Sequence, residues 1–279
     1  MNEGSRKMEI GIVTDEISQD PEAAVWIGRR DWGIEKFELR VIEGRRVPGI
    51  SEAQVDTLER LRADYGVSYT ALGAGLFKCE PTEEAIREQH ERARRAIALA
   101  KRLGIRVVTG FALIDFEMER SSDLRAIVAP HFREVCRRMA EEGLVFAVET
   151  EYMSGVETAR DARELIDAVP GLRLNWDPAN AWVAGEDPLD GYPLIKDLIA
   201  NIHCKDADTR DWRSRNPFVA FGDGAVPWAA LIERLLADRV AAPLTVETHI
   251  DPLIPKSAQS VARLRALLER LGGGEEAAR

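Results

Sequence analysis

The stretch Leu172-Arg173-Leu174-Asn175-Trp176-Asp177-Pro178-Ala179-Asn180-Ala181-Trp182 decides how the chain is read. A short, largely apolar, strand-like run ends abruptly in an acid. Pro178 then removes a backbone donor, so the strand stops at Asp177. A carboxylate at the C-terminal tip of a buried strand is badly placed for packing and well placed for chemistry. Three other apolar runs end alike: Leu144–Val148 leads into Glu149, Ile199–Ile202 into His203, and Leu244–Val246 into Glu247.

Outward from these tips, strand-like runs at 8–13, 34–40, 67–72, 105–110, 144–149, 171–176, 199–204 and 243–248 alternate with helical patterns. The helices fall at 20–30, 51–65, 82–103, 121–142, 156–168, 188–197, 226–238 and 255–271. The segment 82–103 has the fullest signature. Thr82 caps it, Glu83 and Glu84 make its first turn acidic, and Ile86, Ala93, Ile97 and Ala100 recur at helical spacing before Gly104 ends it. Strands and helices alternating eightfold with no linker predict an α/β fold, a single (β/α)₈ TIM barrel over 1–271 with a frayed tail at 272–279. A doubly wound open sheet fits the alternation as well. The count of eight, and the lack of a Gly-rich phosphate turn after the first strand, favour the barrel.

Composition narrows the function. Of 279 residues 45% are hydrophobic, and 38 Lys+Arg face 48 Asp+Glu, a net charge of -10. That balance argues against a nucleic-acid surface. The cysteines, Cys79, Cys136 and Cys204, are odd in number and form no CxxC, so reduced thiols and a cytoplasmic location are expected. Met1 to Lys7 is polar without an apolar core, and no apolar run is long enough to span a membrane.

In a barrel, catalytic groups gather at the C-terminal strand ends. That rule turns Glu149, Asp177, His203 and Glu247 into one site. The set is hard, oxygen-rich and carries one imidazole, which suits Mn²⁺, Mg²⁺ or Co²⁺, and Zn²⁺ less selectively. Cys204 alternates to the opposite face from His203. The competing reading makes each acid a helix cap or a loop group. His90 and His131 are expected on outer, solvated helix faces. Glu151 is read equally as a mouth residue or a loop residue, and Lys205 as an electrostatic helper or a solvated lysine. The stretch 207–221 is long for a βα loop and carries Arg210, Arg213, Arg215 and Trp212. It either folds over the mouth, with an arginine on the substrate, or is a solvated loop or subunit contact. A homo-oligomer is therefore left open.

The ordered pieces Val148-Glu149-Thr150, Asn175-Trp176-Asp177-Pro178-Ala179-Asn180, Ile202-His203-Cys204-Lys205-Asp206, Phe221-Gly222-Asp223-Gly224 and Val246-Glu247-Thr248-His249 carry a resemblance. So do Thr14-Asp15-Glu16-Ile17-Ser18 and Phe37-Glu38-Leu39-Arg40. Together they resemble the sugar phosphate isomerase/epimerase group of xylose isomerase-like barrels along nearly the whole chain. The resemblance implies Glu149, Asp177, His203 and Glu247 as ligands of one divalent metal ion. It implies Glu149 and Glu247 as the proton-transfer carboxylates and a small carbohydrate as the substrate. Glu38, Lys205, Asn180, Arg210, Arg213 and His249 are the expected substrate contacts. An isomerase or epimerase acting through an enediolate is the leading expectation, and dehydration of a keto-inositol on the same scaffold is the alternative. The DNA-repair endonuclease branch uses extra histidines, whereas Asn180 stands three residues after Asp177 and the Gly222–Ala225 stretch has none. The third strand end, Ala71-Leu72-Gly73-Ala74-Gly75, also lacks the histidine of some isomerases.

Overall fold

The computed structural model describes residues 8–114, 121–210 and 216–272. Eight parallel strands close into a barrel. They are β1 (Ile10–Val13), β2 (Lys36–Leu39), β3 (Ser68–Leu76), β4 (Val107–Gly110), β5 (Val145–Glu149), β6 (Arg173–Trp176), β7 (Ile199–Cys204) and β8 (Leu244–Val246). Each strand pairs with its neighbours in sequence, and β1 closes the ring by pairing with β8, Ile10 opposite Leu244. The helices are α1 (Pro21–Trp26), α2 (Glu52–Tyr65), α3 (Glu83–Leu103), α4 (Ser121–Glu141), α5 (Ala159–Ala168), α6 (Pro178–Val183), α7 (Pro188–Ile195), α8 (Trp228–Ala237) and α9 (Leu253–Gly272). The expected tail beyond Gly272 lies outside the described residues, as do Arg213 and Arg215.

Local chemistry sets the helix ends. The Thr82 side chain accepts from the Ala85 amide at the start of α3, and Gly104 ends the helix at φ 67°. Ser51 with Gln54, and Thr158 with Asp161, form capping boxes on α2 and α5. Each such cap stabilises its helix by about 1 kcal/mol.

Three features depart from the sequence reading. β3 does not stop at residue 72 but runs through the glycines to Leu76, with a register irregularity against β4. A short helix, α6, starts directly after Asp177, with Pro178 at its first position. His90 and His131 are not solvated: α3 and α4 turn them toward each other, half-buried, with Nε2 of His90 3.0 Å from Nδ1 of His131. The His90 ring stands edge-on to Phe77, just past β3. Burial, and then His131, push the His90 pKa down.

Candidate active site

β5 ends on Glu149, β7 carries His203 near its tip, and Asp177 and Glu247 follow β6 and β8 by one residue. Alternation turns all of them inward. One ligand atom from each of Glu149, Asp177, His203 and Glu247 lies within 4.8 Å of the others, and all are buried. Asp177 shows how one carboxylate serves two purposes. Its Oδ1 accepts from the amides of Ala179 and Asn180, both at 2.9 Å, and so caps α6. Its Oδ2 is buried without a hydrogen bond, and the Lys205 ammonium stands 2.8 Å from it. Asp177 thus caps α6 with one oxygen while the other faces the cluster. Thr150, not foreseen, locks the tip by accepting from the Asp177 amide at 2.8 Å.

One residue pair below the tips lies a polar layer that the sequence reading missed. Asn175, Asn201 and Thr245, all buried, occupy positions two before Asp177, His203 and Glu247. Asn175 Nδ2 donates to Glu149 Oε2 at 3.0 Å. Asn201 Nδ2 donates to Glu38 Oε2 at 2.9 Å and to Asn175 Oδ1 at 3.0 Å. Thr245 Oγ1 donates to Asn201 Oδ1 at 3.0 Å. The signal was present: a polar residue interrupts three of the four apolar runs at the same two-residue offset, the run before Glu149 having Ala147 there. Glu38 belongs to this floor. It is 1% exposed, and its Oε2 lies 3.0 Å from His203 Nε2. His203 Nδ1 faces the other way, 3.3 Å from both Glu149 Oε1 and Glu247 Oε2. Glu38 therefore orients the imidazole and points Nδ1 at the cluster.

The charges explain the titration of the group. Burial alone would lower the His203 pKa, but Glu247, Glu38 and Glu149 outweigh it and hold it well above the usual value. Burial would likewise raise Glu247, but Lys205, His203 and His249 hold it well below the ordinary carboxylate range. Asp177 goes the other way: burial pushes it up to about 6, and Glu247 and Glu149 add to that against Lys205. Lys205 itself is 4% exposed, bridges Asp177 and Glu247 Oε2 (3.0 Å), and lies under the Phe218 ring.

Arg40, two residues after Glu38, is a second centre that the sequence reading did not assign. Its Nη1 donates to Glu247 Oε1 at 2.6 Å, Nη2 to Glu16 Oε1 at 2.7 Å and Nε to Asp15 Oδ2 at 2.9 Å. His249, at φ 55° past the end of β8, reaches back so that Nδ1 lies 3.0 Å from Glu16 Oε1 and Nε2 3.2 Å from Glu247 Oε1. Burial lowers the His249 pKa, but Glu247 and Glu16 raise it to about 9.

The remaining expected contacts spread out. Asn180 is buried, its Nδ2 donating to the Thr150 carbonyl at 3.0 Å while its Oδ1 has no partner among the described residues. Arg210 is exposed and stacks on Trp182, 3.8 Å from the ring centre. Arg213 falls outside the described residues. Glu151 pairs with Lys78 at 2.7 Å. Across the long loop, Asp206–Ala207 pairs antiparallel with Phe218–Val219. Asp206 ties the far end of this loop back to β7: its oxygens accept from the amides of Ala207 (2.9 Å), Gly222 (2.9 Å) and Val226 (3.1 Å). A Cβ at Gly224 would fall 2.2 Å from Asp206 Oδ1, which explains the glycine there.

A divalent cation fits this site. Three carboxylates and one imidazole nitrogen converge, and the Asp177 oxygen not used by the α6 cap faces them, countered by Lys205. Among the described residues no helix is long and apolar enough to cross a membrane.

Comparison with known proteins places this geometry. A curated 3-dehydroshikimate dehydratase from Bacillus anthracis is 27% identical over 103 residues, a match spanning 34% of this chain and 37% of that protein. The crystal structure of a D-tagatose 3-epimerase-like protein superposes with a TM-score of 0.78 at 17% identity, covering 96% of this chain and 99% of that one. A 1.8 Å structure of the IOLI protein with a bound zinc atom superposes with a TM-score of 0.79 at 15% identity, covering 95% and 99%. At these identities the two structures establish a common fold. The family model for the xylose isomerase-like TIM barrel matches residues 30–270, and the chain belongs to that family.

Proposed function

We propose that the protein is a divalent-metal-dependent isomerase or epimerase of a small keto-sugar or related polyol, acting through an enediolate, with residues 1–271 as one functional barrel. The observation that carries this reading is the buried convergence of Glu149, Asp177, His203 and Glu247, with the Asp177 oxygen that the α6 cap leaves over facing the cluster. A divalent ion held by these four residues, Mn²⁺ or Mg²⁺ by the hardness of the donors, supplies positive charge where substrate oxygen becomes anionic. The proton beside a ketone is too weakly acidic for an unaided carboxylate. Glu149 is the freer of the two proton-transfer carboxylates, since Asn175 is its one amide donor and, among the described residues, no guanidinium or ammonium contacts it. Glu149 removes the proton. Glu247, held by Arg40 and Lys205, returns one from the other side, drawing on His249 Nε2, which is protonated at neutral pH. The acidic net charge of -10 and the unpaired cysteines support a cytoplasmic protein acting on a small molecule rather than on nucleic acid.

The second reading is a dehydratase. Two observations favour it: the sequence match to a 3-dehydroshikimate dehydratase and the asymmetry between Glu149 and Glu247. In that case Glu149 takes the proton next to the carbonyl, the C–O bond of the β-hydroxyl breaks, and His249 protonates the departing hydroxide to water. One experiment separates the readings. The Mn²⁺-loaded chain is incubated in deuterated water with ketoses, keto-inositols and 3-dehydroshikimate. Deuterium at the carbon next to the carbonyl with a new isomer supports the first reading. Loss of water with a conjugated product supports the second. No exchange with any of the panel, together with no retained metal, would retire both.

A further inference from the structure

The mouth holds a cation that the cluster does not use. Arg46 ends the hairpin Val41–Ile42/Arg45–Arg46 that follows β2. Its Nε donates to the Gly73 carbonyl at 3.1 Å, which lays the guanidinium along the tip of β3. Gly75 makes the space for it. This residue has φ 61°, and a Cβ there would stand 2.7 Å from Arg46 Nε and 2.9 Å from Cζ. Three other cations of the mouth are held by carboxylates: Arg40 contacts Asp15, Glu16 and Glu247, Lys205 contacts Asp177 and Glu247, and Lys78 contacts Glu151. Arg92, beside Arg46, is held by the Ala74 and Val47 carbonyls. Among the described residues, Arg46 has no carboxylate partner, and Nη1 and Nη2 make no hydrogen bond. Burial lowers its pKa and nearby Arg40 adds to that, while Glu149, Glu247 and Asp15 act in the opposite sense, so its charge is felt across the mouth.

The position is as informative as the missing partner. In the closed eight-strand order, β3 lies across the barrel from β7, which carries His203. A substrate whose carbonyl end lies at the four-tip cluster directs its far end toward β3. A guanidinium with a free edge matches an oxyanion in a planar, two-hydrogen-bond arrangement. We propose that Arg46 binds a carboxylate or phosphate carried by the substrate, so that the protein acts on an acidic rather than a neutral hydroxy-ketone. This rests on the hydroxy-ketone reading of the site.

The test is equilibrium binding by calorimetry on the Mn²⁺-loaded full chain, with shikimate, D-allulose 6-phosphate and D-allulose as probes. The parent should bind one of the two anions at least about tenfold more tightly than D-allulose; shikimate would assign a carboxylate and the sugar phosphate a phosphate. Arg46→Gln should reduce that ratio about 10–100-fold, and Arg46→Lys should recover part of it. Gly75→Ala, which crowds the guanidinium but keeps its charge, should also reduce it. Equal affinity of the parent for all three probes, or a ratio within about threefold of the parent in Arg46→Gln, would overturn the proposal. The ratio is read without turnover. An Arg46-dependent ratio with no proton exchange would remove the reaction and keep the anion site. Exchange on neutral ketoses with no anion preference would do the reverse.

Discussion

On the β5–β8 side of the mouth, three carboxylates converge on one imidazole, with Lys205 between two of them. On the β1–β2 side, one guanidinium is ringed by Asp15, Glu16 and Glu247. Both arrangements are buried and rich in acids, yet they resolve their charge differently. Around Arg40 each nitrogen–oxygen contact is 2.6–2.9 Å, and burial cannot keep Glu16 from falling to about 2 against His249 and Arg40. In the cluster, Asp177 is pushed up to about 6, and one of its oxygens lacks a hydrogen bond. The first arrangement is complete within the chain, whereas the second has the donor set to take up a cation of higher charge. Glu247 belongs to both and couples them.

The largest effect should come from that shared residue. Glu247→Gln keeps an oxygen for the cation but removes the basic one, and a positioned base contributes about 10²–10⁴-fold. We expect kcat to fall in that range with the metal retained. If Glu149 is the first base, deuterium wash-in persists while product collapses. Near-parental turnover would move the base to Glu151 or His249.

The contrast in stability comes next. Arg40→Met removes the one cation shared by Asp15, Glu16 and Glu247 from a largely buried network and should destabilise the fold by about 3–5 kcal/mol. Asp177→Asn keeps the α6 cap and removes a charge the metal-free site holds poorly, so urea unfolding should shift by about 1 kcal/mol or less. Its metal content after dialysis should fall sharply. Equal stability losses in the two variants would mean that the two sides do not differ in this way.

Glu38→Gln sharpens the comparison further. The amide can no longer accept as a carboxylate from His203 Nε2, and such orienting partners change metal affinity about 10–100-fold. Unchanged Mn²⁺ affinity by titration calorimetry would show that Glu38 does not position the ring.

The mildest test is pH. Asp177 titrates at about 6 in the folded chain against 3.8 ordinarily. As pH rises past 3.8 the unfolded chain releases this proton first, so between about pH 4 and 6 the native state binds more protons, and this residue's contribution lowers metal-free stability as pH rises. Metal binding runs the other way. It needs the carboxylate and a neutral His203, whose pKa is held well above its usual value, so affinity should rise as pH increases through 6. More than one proton should be released per ion at pH 6, falling toward one at pH 8. Calorimetry in buffers of different ionisation enthalpy measures this, and no proton release would contradict the assignment.

Much of this was legible in the sequence for one reason: strand alternation and strand ends are local properties. The abrupt acids after apolar runs gave Glu149, Asp177, Glu247 and, by the same pattern, His203, and the eightfold alternation gave the barrel. The Asn175, Asn201 and Thr245 layer was readable by the same two-residue offset but carried no chemical signature to draw the eye. Other features were set only by tertiary packing. Whether Lys205 is solvated or buried depends on how Asp206 ties back the segment up to Val226. The convergence of Arg40 on Asp15, Glu16 and Glu247 joins residues more than 200 positions apart. The His90–His131 contact needs α3 and α4 side by side, and the Arg46 guanidinium needs the space left by the missing Cβ of Gly75. The sequence by itself determined which strand tips carry the converging acids and the imidazole, because that follows from period and termination. Only the closed barrel decided which cations neutralise them and that Arg46, among the described residues, pairs with no carboxylate, because charge pairing depends on distances through space that no local pattern encodes.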